Sequence, residues 1–162
     1  MKLLLKTFLS LLLLASTSFA AKTLTEENIT KVLDNVKIAK EHKSIKVMKN
    51  YFLSRTSVSL TDQNIETSDT TRLTFDEYKR HLSKKWKNVQ SNLIEIKERS
   101  FSIDTNGKSA LVKTTLVQTV EVNGIKTAMT IYETTGLKLV KGKIYINYYS
   151  ARNMLNTAMR VN

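Results

Sequence analysis

The sequence predicts an α+β fold in which a helical front half is followed by a strand-rich back half within one domain. Two observations carry this. Apolar residues recur at helical spacing from Ile29 to Val89 and alternate with polar ones from Asn92 onward. The back half is also punctuated by Asn106-Gly107 and Asn123-Gly124, pairs that favour two-residue hairpins, with Lys141-Gly142 marking a third turn.

The first twenty residues, "MKLLLKTFLSLLLLASTSFA", are set apart from the fold. Lys2 and Lys6 precede an apolar run, which ends in small residues at Ser18-Phe19-Ala20. This is the pattern of a secretory signal peptide, and the run is shorter than the roughly 20 residues a spanning helix needs. The expectation is a leader over 1–20, a single domain over 21–162, and a periplasmic or secreted protein with no transmembrane segment after cleavage. The chain has no cysteine, so disulfides, thiol catalysis and thiolate metal sites are excluded.

The elements follow in order. Thr25 is the expected N-cap of a helix from Glu26 to about His42, with Ile29, Val32, Leu33, Val36 and Ala39 on one stripe. Ser44 caps a shorter helix from Ile45 to about Asn50. Residues 51–60 read as extended, and "TDQNIETSDTTR" (61–72) as a loop or irregular edge. Thr74 and Glu77 form a capping box for a third helix, whose buried stripe is Phe75, Tyr78, Leu82, Trp86 and Val89. Four strands of an antiparallel meander are expected at about 92–105, 108–122, 125–140 and 143–150. The apolar set changes parity between Ile96 and Phe101, which implies a bulge and a bent strand, and Gly136 is a second candidate. The end, "ARNMLNTAMRVN", reads as a short amphipathic helix or a fraying tail.

The order of two helices within Ile29–Phe52, a strand, a third helix over Phe75–Trp86 and the strands through "GKIYINYYS" resembles the nuclear transport factor 2-like superfamily, in particular its exported SnoaL-like bacterial members. The resemblance implies a cystatin-like architecture: a curved antiparallel sheet wrapped around N-terminal helices into a cone with a pocket. Relatives of this kind include isomerases, dehydratases and non-catalytic binding modules, so fold does not settle function. It also implies a homodimer through the sheet, for which Tyr145 and Tyr149 are candidate interface residues.

Glu133 is the acid that invites chemistry. It shares strand parity with Ile125, Met129, Ile131, Leu137 and Leu139, and an acid on an apolar face must be paired or raised in pKa. Gln118 sits likewise among Val112, Leu116 and Val120, and Tyr148 follows Ile144 and Ile146. Glu133, Gln118 and Tyr148 are therefore the expected ligand-binding set, with Glu133 as the candidate catalytic residue. A bulge at Gly136 that turns Glu133 outward, or a lysine pairing with it across the sheet, are the competing readings. The two histidines are His42 and His81. Asp76 cannot share a site with His81 on one helix, so a His–Asp pair would need Asp62 or Asp69. No phosphate loop or metal motif is present, and neither cofactor nor metal is expected.

The formal charge of +12, or +10 without the leader's two lysines, favours acidic partners. Arg80, Lys84 and Lys87 share an arc of the third helix and are candidates for anion binding. Nucleic acid is disfavoured, because Trp86 is expected to face inward, away from these cations. Lys37, Lys40, Lys43, Lys46 and Lys49 form a ladder that a three-residue spacing cannot align on one stripe, and it reads as a solvated face. The leading expectation is a non-catalytic module binding a small apolar ligand or a partner protein. A small cofactor-independent isomerase or dehydratase, and a basic protein attached to an anionic envelope polymer, are the alternatives.

Overall fold

A computed structural model describes residues 22–64 and 66–161, with side chains through Met154. The leader therefore lies outside the described residues. Helix α1 spans Glu26–Glu41, begun by a capping box in which the Thr25 hydroxyl accepts from Asn28 N–H and the Asn28 side chain accepts from Thr25 N–H. Lys43 takes a positive φ of 55° to reverse the chain. Ser44 then caps α2 (Ile45–Met48), which runs into a 3-10 turn at Lys49–Tyr51. Strands β1 (Phe52–Gln63) and β2 (Ser68–Thr74) follow, then α3 (Phe75–Trp86), opened by the Thr74–Glu77 capping box. Strands β3 (Val89–Ile103), β4 (Ser109–Val122), β5 (Ile125–Val140) and β6 (Lys143–Val161) complete the chain.

The six strands form one curved sheet in the order β2-β1-β6-β5-β4-β3. All neighbours are antiparallel except β1 and β6, which run parallel. Helices α1 and α3 pack on one face. Ile29, Met48, Val58, Val112, Leu137 and Ile146 are at most 1% exposed there, and the Phe52 and Phe75 rings stack at 4.6 Å. The expected bend in β3 is found as a register shift between Ile96 and Glu98.

Two expectations are corrected. The stretch 61–72 is the edge and not a loop throughout: β1 continues to Gln63, β2 starts at Ser68 as the edge strand, and the hydroxyls of Thr61 and Thr70 meet at 2.9 Å. Its polar, β-branched residues suit an exposed edge strand, where apolar residues would invite aggregation. Residues 151–161 are not helical either. They extend β6 between β1 and β5, pairing as far as Gln63↔Met154 and Lys126↔Val161. Both β1 and β5 pair with residues 151–154 and β5 pairs with 159–161, so tertiary pairing overrides the helical spacing of the apolar residues.

The bulge at Gly136 exists, and its effect falls on the opposite strand. Gly136 pairs with Tyr148 and Leu137 with Ile146, which leaves Asn147 without a β5 partner. The extra residue flips the parity of everything after it. Ile144 and Ile146 face the core before the bulge; Tyr149 and Ala151 face it afterwards.

Candidate functional site

The inward face of the sheet and α3 enclose a cavity of ≈370 Å³. Its apolar walls come from Leu60, Leu82, Trp86, Ile94, Leu116 and Ile131. Asp62 on β1 and His81 and Lys85 on α3 stand at its exposed mouth. The floor is built by four chain segments, through Lys40 of α1, Tyr78 of α3, Glu133 of β5 and Tyr149 of β6.

Lys40 organises the floor. Its Nζ donates to Glu133 Oε1 at 2.7 Å and to the Tyr149 hydroxyl at 2.8 Å. The Tyr149 hydroxyl in turn donates to the same Glu133 oxygen. The Lys40 and Glu133 side chains are only 11% and 14% exposed. Burial works to lower the Lys40 pKa, but the Glu133 charge and its hydrogen bond prevail and hold it above the ordinary lysine value. Burial raises the Tyr149 phenol well above its usual value, and the neighbouring Glu133 charge adds to the rise. The triad is therefore a protonated amine, a carboxylate and a neutral phenol that satisfy one another.

An amide chain runs beside it. Asn92 Nδ2 donates to the Lys40 carbonyl at 2.9 Å, and Gln118 Nε2 donates to Asn92 Oδ1 at 2.6 Å. Glu41 reaches the edge of β3, where its Oε1 accepts from Ile94 N–H at 2.9 Å, and Lys43 Nζ donates to the Val89 carbonyl at 2.6 Å. The end of α1 thus closes backbone groups that an edge strand leaves open. At the mouth, Asn153 Nδ2 donates to Asp62 Oδ1 at 2.6 Å. Burial, together with Lys85 and Lys84, lowers the His81 pKa, while Asp62 opposes the shift.

Of the expected site residues, Glu133 and Gln118 do line the cavity. Glu133 is neither turned outward nor paired across the sheet; its lysine comes from α1. Tyr148 does not line it. The ring is 37% exposed, because the Asn147 bulge points Tyr148 away and brings Tyr149 in. Tyr149, 4% exposed, is consequently no interface residue. Tyr145 is half-buried, with Lys143 Nζ 5.1 Å from its ring centroid. Arg80 and Lys84 on α3 and Lys87 at its C-cap lie exposed outside the cavity, while Lys85 between them reaches its mouth.

The lysine ladder is not one solvated face. Lys46 and Lys49 are exposed, but Lys37 pairs with Glu41 at 2.9 Å and Lys40 is buried. Lys40 stands four residues after Val36 and seven after Leu33, on the buried stripe itself, and that spacing was the signal in the sequence. His81 and Asp62, far apart in sequence, do share the cavity mouth. Among the described residues no cluster of three His, Asp or Glu could hold a metal, and no helix is long and apolar enough to cross a membrane.

Solved structures share this arrangement of sheet and helices. A nuclear transport factor 2-like protein from Cytophaga hutchinsonii superposes with a TM-score of 0.64 at 9% identity, over 80% of this chain and 99% of that one. The chain has the nuclear transport factor 2-like fold. A candidate scytalone dehydratase from Novosphingobium aromaticivorans matches it with a TM-score of 0.67 at 10% identity, over 84% and 87% of the two chains. The type 3 hexachlorocyclohexane dehydrochlorinase of Novosphingobium barchaimii matches with a TM-score of 0.63 at 6% identity, over 82% and 87%. No family model and no curated protein matches the sequence. Nuclear transport factor 2-like cones carry unrelated functions, so function must be argued from the floor and mouth of this one.

Proposed function

We propose that the chain is a binding module that holds a small, largely apolar molecule in the cone without changing it chemically. The observation that carries this is the state of Glu133. One carboxylate oxygen takes hydrogen bonds from both Lys40 and Tyr149, so its charge is already matched from within the protein. A general base must instead meet a proton of the substrate with its charge uncommitted. The ≈370 Å³ volume falls in the usual range for small-molecule pockets, and Leu60, Leu82, Ile94, Leu116 and Ile131 give it an apolar wall above the polar floor. Gln118 spends one N–H on Asn92 and keeps its carbonyl oxygen and second N–H to orient a ligand. The leader reading makes this an exported module, testable by sequencing the N-terminus of the secreted protein.

Trp86 is the single tryptophan and lines the cavity, so its emission reports occupancy directly. Titration with a panel of apolar compounds should quench or shift that emission at saturation. Gln118→Leu should weaken the best binder several-fold, about 1 kcal/mol for one hydrogen bond. Recovery of the compound unchanged supports binding; conversion that Glu133→Gln abolishes overturns it.

His81 supports a second reading, proton transfer to or from a bound molecule. Its imidazole stands at the mouth with Asp62 nearby, and burial lowers its pKa, which favours the unprotonated ring that can accept a proton. Conversion of a bound compound that His81→Gln abolishes and Glu133→Gln spares would establish it.

A further inference from the structure

Among the described residues no helix covers the centre of the opposite face of the sheet, which has a chemistry of its own. Register places two rows of outward side chains side by side. One runs Thr70, Thr61, Arg152, Tyr132, Thr115, Glu98 across all six strands. The other runs Arg72, Ser59, Ser150, Thr134, Lys113, Ser100. At about 4.8 Å between strands the rows extend roughly 24 Å. Their β3–β6 part forms a shallow groove of ≈400 Å³ that includes Tyr132, Arg152, Lys113, Thr134 and Ser100. The groove lies on the opposite face from the cavity; Glu133 borders both, and its carboxylate is held by Lys40 on the cavity side.

We propose that this groove binds an acidic glycan, a chain of sugars bearing carboxylates. Tyr132 is 41% exposed and offers an aromatic surface, with the Arg152 guanidinium 5.3 Å from its ring centroid. Arg152 and Lys113 form no ion pair among the described residues, so two cations remain for an anionic group. Hydroxyls surround them. A serine or threonine hydroxyl both donates and accepts, as a sugar hydroxyl does, whereas a phosphodiester only accepts. Glu98 at the end of the row is acceptor-only and suits sugar hydroxyls. The same polarity argues against a second copy of the chain, since homodimer interfaces are more apolar than this. The net charge, +10 without the leader's two lysines, draws polyanions toward the surface, and the groove supplies local recognition.

The test is affinity for immobilised polygalacturonate at physiological ionic strength, with dextran as the neutral control and single-stranded DNA as the other polyanion. The full chain without its leader should bind polygalacturonate in preference to both. Lys113→Glu combined with Arg152→Glu should lose about tenfold in affinity, and Tyr132→Ala several-fold. Lys46→Glu combined with Lys49→Glu makes the same charge change on exposed α2 and its following turn, and should stay within about twofold. Circular dichroism and melting of each variant confirm folding, and all five positions are exposed. Equal loss in the two double variants would reduce the binding to diffuse charge and overturn the proposal. So would equal retention on DNA, no retention on polygalacturonate, or a dimer by light scattering that Lys113→Glu with Arg152→Glu dissociates.

Discussion

Lys40 Nζ lies 2.7 Å from Glu133 Oε1, an ion pair that joins residues 93 positions apart at the bottom of the cone. It ties α1 to β5, and with Tyr149 it fixes which polar groups of the cavity a ligand can use. Each partner makes the other tolerable. A buried charge stripped of its counter-ion is costly, whereas a buried pair replaced whole by apolar residues is often close to neutral.

Lys40→Met should therefore lower unfolding stability by about 3 kcal/mol, because it strands the Glu133 carboxylate. Lys40→Met with Glu133→Leu should recover most of that loss. Urea denaturation with an unchanged m-value measures both. A loss under about 1 kcal/mol in the single variant would show that the pair is solvated in practice.

Stability should fall in alkali, and the sign follows from both shifts. Lys40 and Tyr149 have folded pKa values above their ordinary 10.5 and 10.0, so the folded chain keeps protons that the unfolded chain releases. Their contribution is complete below those ordinary values and is lost as pH rises through the folded ones. Urea midpoints from about pH 8 to about pH 11 should drop, and Tyr149→Phe should flatten the drop. An unchanged slope in Tyr149→Phe would remove the phenol from this account.

The Asn147 bulge makes two adjacent tyrosines unequal. Tyr149→Ala empties a core site against Phe52 and Tyr78, whose rings lie 6.3 and 5.6 Å away, and should cost about 3–5 kcal/mol. Tyr148→Ala removes a ring that is 37% exposed and should stay within about 0.5 kcal/mol. Thermal melts of the pair decide the register, and the reverse ranking would mean that the bulge is misplaced.

His81 should titrate below 6.5 in an NMR pH series, because burial and the nearby Lys85 disfavour the imidazolium. Removing the opposing charge by Asp62→Asn should lower the value further, and Lys85→Met should raise it. Since the folded value is depressed, its contribution to stability is present above 6.5 and fades as pH falls below it. Movement of either variant in the other direction would place Asp62 or Lys85 away from the ring.

The sequence by itself determined what local forces decide. The Thr74–Glu77 capping box, the stripe from Phe75 to Leu82 and the hairpin at Asn123-Gly124 depend on neighbours a few residues away, and each stands where the pattern put it. The parity change after Ile96 likewise announced the bend in β3. Glu133 and Gln118 could be placed in the cavity because strand parity holds along β4 and β5 as far as they lie. Tertiary structure alone decided the rest. Which lysine meets Glu133 depends on where α1 crosses the sheet, a relation no local pattern contains. Whether Tyr148 or Tyr149 faces inward depends on an unpaired Asn147, and that can be seen only once β6 is laid against β5. The strand character of residues 151–161 arises from pairing with β1 and β5 at 151–154 and with β5 at 159–161, where backbone hydrogen bonds outweigh the helical spacing of a few apolar side chains.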